Sequence, residues 1–177
     1  METIDKTIWT AGHSTRTLDE LLTLLGSFEI EVLADIRSFP ASRRYPHFNS
    51  DNLAVAMPAH GIGYLPMPLL GGRRRRNPDS TNMQWRHPAF RAYADYMETL
   101  EFGEGIRLLT DVAARQRTAF TCSEAVWWRC HRSLVSDYLK STGWRVMHIM
   151  DAGKAVEHPY TSAAQIVDGE LSYKALL

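Results

Sequence analysis

Cysteine is nearly absent from this chain: of 177 residues only Cys122 and Cys130 carry a thiol, which excludes a small secreted scaffold stapled by disulfides. In a reducing compartment a close pair of this kind is more often reactive, metal-binding or simply buried than bridged. Long apolar runs are missing too. No stretch reaches the roughly 18 consecutive apolar residues of a membrane helix, and Met1 to Lys6 is acidic where a secretory leader is basic and then apolar. No membrane role and a cytoplasmic location are the expectations. Lysine is scarce: Lys6, Lys140, Lys154 and Lys174 stand against sixteen arginines. There is no internal repeat, and Arg73 to Arg76 is the one low-complexity run.

Acid is the next shortage. The chain as a whole is neutral, but between Ile36 and Ala94 nine arginines face only Asp51 and Asp79, a surplus of seven positive charges that the remainder must offset. The planar guanidinium fork suits phosphate and carboxylate groups, so an anionic small molecule or a nucleic acid is the partner class this segment favours. The competing reading is a solvated arginine loop. With 45% hydrophobic residues the length suits one domain, 1–177, with a full core.

Strand and helix patterns alternate, the signature of an α/β domain with a mainly parallel sheet. Thr7–Ala11, Glu31–Arg37, Ile62–Met67, Thr118–Cys122 and Trp144–Met150 read as five strands. Thr17 and Glu20 have capping-box spacing ahead of Leu18, Leu21, Leu22 and Leu25, with Gly26 as the stop. Asn49, Ser50 or Asp51 can cap a short helix carrying Leu53 and Met57, where Pro58 predicts a kink or an early end. The pattern from Pro88 continues past Gly103 and Gly105 as one broken helix or two. Leu134, Val135, Tyr138 and Leu139 stripe a helix that begins near Cys130 and stops at Gly143. Gly71 to Gln84 reads as a mobile or ligand-ordered loop. The tail predicts a turn at Asp151–Gly153, an edge strand or hairpin, and a short helix around Ser162 to Val167. The expected architecture is three-layered: a mainly parallel sheet of about five strands with helices on both faces.

In such sheets ligands bind at the carboxyl ends of the strands. Gly12-His13-Ser14, Asp35-Ile36-Arg37, Leu70-Gly71-Gly72 and Cys122-Ser123-Glu124 all follow predicted strands, and Cys130-His131-Arg132-Ser133 opens a helix whose amides and dipole favour a thiolate or an anion. Taken together, and with His148-Ile149, these motifs resemble the bacterial domain-of-unknown-function family numbered 488, over nearly the whole chain. The resemblance implies an α/β fold with the motifs gathered at one site and leaves the reaction open. Pro58 departs from the family pattern locally.

These groups sort into roles. Cys130 is the candidate nucleophile, activated by the helix start and by His131 or Arg132, with Glu124 and His13 moving protons. Ser14, Asp35, Arg37, Gly71, Gly72, Arg73 and Arg132 are the candidate substrate-binding set. Asp35 with Arg37 also reads as a structural ion pair, and Cys122 as core. Trp127 and Trp128 suit packing better than base stacking. The expected function is an enzyme acting on an anionic, nucleotide-like substrate. Cys130-x-Arg132 lacks the longer cysteine-to-arginine loop of thiol phosphatases, which disfavours a phosphocysteine. Two alternatives stand beside this reading. Cys122, Cys130 and His131, with His13 as a fourth donor, would suit zinc or iron, although Cys-x7-Cys-His matches no finger spacing. The arginine segment would otherwise serve a non-catalytic nucleic-acid-binding module.

Overall fold

A computed structural model of the chain describes residues 5–175, so most of the acidic Met1–Lys6 stretch lies outside the described residues. Five strands run parallel: β1 (Thr7–Gly12), β2 (Val32–Asp35), β3 (Gly63–Pro66), β4 (Thr118–Cys122) and β5 (Arg145–Asp151). A sixth, β6 (Lys154–Glu157), adds to β5 antiparallel, giving the order β3-β2-β4-β1-β5-β6. Register decides where the strand ends fall. Gly12 lies opposite Cys122 and Asp35 opposite Thr121, so β1, β2 and β4 finish level with one another at one edge of the sheet.

Alternation along the strands feeds two apolar layers. Trp9, Leu33 and Ala119 pack with Leu21, Leu24 and Leu25 of α1 (Leu18–Ser27) and with Leu53 and Met57 of α2 (Ser50–Ala59). Ile8, Ala34 and Phe120 point the other way, into α3 (Pro88–Tyr96), α4 (Leu100–Ala113) and α5 (Arg132–Ser141). Burying each of these leucines contributes roughly 1.5–3 kcal/mol, and the result is the expected three-layer α/β fold. The Thr17 capping box forms as read: Thr17 Oγ1 accepts from the Glu20 amide at 3.1 Å, and Glu20 Oε1 accepts from the Thr17 amide at 3.3 Å. No helix among the described residues is long and apolar enough to cross a membrane.

Two local readings change and two open ones are decided. β2 stops at Asp35, which leaves Ile36 and Arg37 in the following loop. The break after α3 falls at residues 97–99, where Thr99 Oγ1 caps α4 by accepting from the Phe102 amide at 3.3 Å. Gly103 and Gly105 sit inside α4, and Gly105 leaves no room for a Cβ beside Leu70. Pro58 stands next to last in α2, so of the two outcomes read there the early end holds, one residue beyond the proline. The short helix read at Ser162 to Val167 is overturned: Gln165–Val167 is strand β7, paired antiparallel with β8 (Glu170–Ser172). Asp168 and Gly169 both take positive φ, 51° and 83°, the Asp-Gly hairpin turn, and that turn chemistry outweighs the weak helical spacing before it.

Candidate functional site

The level strand ends open into one crevice of about 390 Å³. Eight residues singled out in the sequence line it: His13, Arg37, Gly72, Arg73, Cys122, Glu124, Cys130 and His131. They arrive from the ends of β1, β2 and β4, from the chain after β3 and from the lead-in to α5. Ser14, Asp35, Gly71 and Arg132 do not line it. Ser14 takes a positive φ of 49° and hands its amide to the Ser123 carbonyl at 2.9 Å. Gly71 packs so tightly on Ser38 that a Cβ would overlap it. Among the lining residues outside the candidate set are Ser38, Tyr45 and Phe90; Tyr45 and Phe90 come from a mid-loop and a helix start that carry no strand-end signal.

Asp35 forms the floor beneath Arg37. Its two oxygens accept from Arg37 Nε at 2.8 Å and from the terminal nitrogen Nη2 at 2.6 Å, and Tyr64 adds its hydroxyl at 2.5 Å. Nη2 also donates to the Phe48 carbonyl at 2.7 Å, so the guanidinium is clamped, with Nη1 left 3.3 Å from His13 Nε2. His13 donates from Nδ1 to the Ser14 carbonyl at 3.0 Å and stacks on Phe48 at 4.3 Å. Burial and then the Arg37 charge lower its pKa to about 4 against the pull of the Ser14 bond, so at neutral pH it is an uncharged acceptor facing a cation.

His131 is set by its own backbone contact. Nε2 donates to the Ile36 carbonyl at 2.8 Å, which leaves Nδ1 as an acceptor 3.4 Å from Cys130 Sγ. Burial lowers its pKa to about 4. Gly72 presses on this ring, and a Cβ there would collide with it. The sulfurs of Cys122 and Cys130 are in contact, with their Cα atoms 7.6 Å apart; both residues are buried, as one of the readings had it, and a bridge between them is within reach. Cys122 Sγ also accepts from Arg132 Nε at 3.1 Å.

The proposed metal set of Cys122, Cys130 and His131 is not assembled. Two guanidinium groups stand where a cation would approach: Arg37 faces His13 Nε2 and Arg132 lies on Cys122. Among the described residues no group of three or more His, Cys, Asp or Glu side chains is placed to hold a metal ion, so neither zinc nor iron finds its donors here.

Behind the crevice wall runs a buried polar chain that local spacing did not reveal. Arg132 donates from Nη1 to Thr10 Oγ1 at 3.1 Å, Thr10 contacts His148 Nδ1 at 2.6 Å, and His148 Nε2 contacts His158 Nδ1 at 2.8 Å. His158 Nε2 ends on Asp137 Oδ1 at 2.8 Å. Arg132 donates at one end of this chain and the Asp137 carboxylate accepts at the other, with Thr10 and the two imidazoles joining them. Burial lowers the His148 pKa to about 2. Trp127 lies flat on His148, with ring centroids 4.5 Å apart and planes within 4°.

The four-arginine run divides. Arg74 lies 3.5 Å over the Tyr96 ring and donates to the carbonyls of Pro68, Leu69 and Gly71, while Arg73, Arg75 and Arg76 are exposed. Arg73 to Arg76 line a shallow groove that meets the crevice at Gly72, Arg73 and Ala89.

No curated protein and no solved structure matches this chain. A family model described as Domain of unknown function DUF488 matches residues 17–139, a span that takes in β2, β4, the thiol pair and the start of α5. On that match the chain belongs to the DUF488 family, as the motifs at its strand ends suggested.

Proposed function

We propose that the protein is an enzyme that binds a phosphate-bearing, nucleotide-like anion in the crevice and acts on it through Cys130 and His131. The observation that carries this reading is the composition of the wall. Arg37, Arg73 and Arg129 converge with His13, His131 and the touching sulfurs of Cys122 and Cys130, and among the described residues Glu124 is the one carboxylate lining it. Arg73 and Arg129 offer unclamped guanidinium groups for an anion. Cys130 supplies the nucleophile, and the neutral Nδ1 of His131 takes its proton. His13 and Glu124 are the further proton carriers.

Calorimetric titration with inorganic phosphate and with nucleoside mono-, di- and triphosphates tests the binding half. Saturable binding that weakens about tenfold or more in Arg73→Gln and in Arg129→Gln supports the reading. Absence of binding across this panel at millimolar concentration overturns it. A second reading is favoured by the arginine groove, which continues the crevice outward. In that reading a single strand of nucleic acid follows Arg73, Arg75 and Arg76 with no chemistry. Its mark is affinity that falls steeply with salt and survives Cys130→Ala.

A further inference from the structure

Arg132 is 1% exposed and heads the fully buried side chains by size, yet among the described residues no carboxylate pairs with it. Its partners are Cys122 Sγ, Thr10 Oγ1 and the carbonyls of Glu124 and Ala125. A buried cation needs a counter-charge, and of these four acceptors only the sulfur can become an anion. The other thiol has a base instead, since His131 is fixed with its bare Nδ1 toward Cys130. One sulfur therefore meets a permanent cation and the other a proton acceptor, and the two sulfurs touch.

We propose that Cys122 and Cys130 form a redox-active thiol pair that exchanges with low-molecular-weight disulfides, Arg132 holding Cys122 as the thiolate. Cys130, at the crevice wall, gives its proton to His131 Nδ1 and attacks one sulfur of a disulfide RSSR. A Cys130–S–S–R bond forms and RS⁻ leaves. The Cys122 thiolate then attacks Cys130 Sγ, expelling a second RS⁻ and closing the Cys122–Cys130 bridge. Two protein thiols are oxidised, one external disulfide is reduced to two thiolates, and the proton held on His131 passes to a departing thiolate. Both sulfurs line the crevice; Cys122 is the resolving one because Arg132 Nε holds it, while the proton acceptor His131 Nδ1 faces Cys130. With the Cα atoms 7.6 Å apart, a relaxed bridge draws the 123–130 loop inward by about 1 Å.

Cations outnumber anions around Cys122. Arg132 from α5 and Arg37 from the loop after β2 are cationic, Glu124 on the following loop is the opposing charge, and His13 and His131 are neutral above their lowered pKa values. This chemistry is independent of the phosphate-bearing substrate. A chain that binds no nucleotide still shows it.

Reduced protein is treated with excess 2-hydroxyethyl disulfide and followed by intact mass and free-thiol count. The wild type is expected to lose two hydrogens and both thiols without retaining an adduct, whereas Cys122→Ser traps a stable mixed disulfide. In Cys130→Ala, thiolate absorbance at 240 nm against pH is expected to place Cys122 at least about one unit below the ordinary thiol value of about 8.5. Arg132→Gln in that background returns it to or above that value, and Arg132→Lys, which keeps the charge, returns it only partway. A wild type that stays a dithiol or keeps the adduct overturns the proposal. A Cys122 titrating at or above about 8.5 with Arg132 intact does so as well, whether or not the Arg132 variants fold.

Discussion

His158 donates from Nε2 to Asp137 Oδ1 across 2.8 Å, and neither side chain meets solvent. Asp137 is the anchor of the buried chain that ends on Arg132. Its oxygens also take the Thr161 amide at 3.0 Å, the Thr161 hydroxyl at 2.6 Å and the Tyr173 hydroxyl at 2.8 Å. Four donors from the C-terminal third of the molecule thus converge on one carboxylate, which ties the β7–β8 region to α5. The Arg132 cation behind the crevice and the Asp137 anion at the far side are linked through Thr10 and two histidines without touching.

Asp137→Asn keeps the shape but turns an amide donor toward groups that are themselves donors. It is expected to destabilise the protein by about 3 kcal/mol or more, measured by urea unfolding. A loss under about 1 kcal/mol would mean that the carboxylate is not the anchor.

Stability should fall with acid in a window set by histidines. His13 and His131 have folded pKa values near 4 and His148 near 2, against 6.5 for the free side chain. The unfolded chain therefore binds protons that the folded chain refuses. The contribution is fully present above about pH 6.5 and is lost as pH drops below it, at up to about 1.4 kcal/mol per pH unit for each residue. Unfolding at pH 7.5, 6 and 5 measures the slope. His148→Gln should flatten it, and a stability that is constant or rises over that range contradicts the assignment.

Gly72→Ala sets a methyl group against the His131 ring. The ring must turn, Nδ1 moves off Cys130, and alkylation of Cys130 at neutral pH should slow several-fold while the fold loses only about 1–3 kcal/mol. The paired readout is the iodoacetamide rate beside the denaturation midpoint. An unchanged rate would remove His131 as the proton acceptor.

The arginine run should separate into structure and surface. Arg74→Ala removes a ring contact and three carbonyl contacts and is expected to destabilise by about 1–2 kcal/mol. Arg75→Gln with Arg76→Gln should leave stability within about 0.5 kcal/mol. The double variant should also lower the salt slope of any polyanion affinity, read by fluorescence anisotropy on a labelled single strand.

The layers were readable from Leu21, Leu25, Phe120 and Leu134 because apolar periodicity records which face of an element is buried. The meeting of His13, Arg37, Cys122 and His131 followed from strand ends and from the rule for parallel sheets. Other features depended on distant contacts. The fixed Nδ1 of His131 depends on a carbonyl 95 residues away, and the chain from Thr10 to Asp137 joins β1, β5 and α5 by way of His158 after β6, through side chains that read locally as ordinary. The turn at Asp168-Gly169 was missed because the weak helical spacing before it was followed instead.

The face-to-face stack of Trp127 on His148 makes the relay optically visible. The indole also meets the edge of His158, with ring centroids 4.9 Å apart, so the emission of Trp127 is a built-in gauge of whether the two imidazoles are seated.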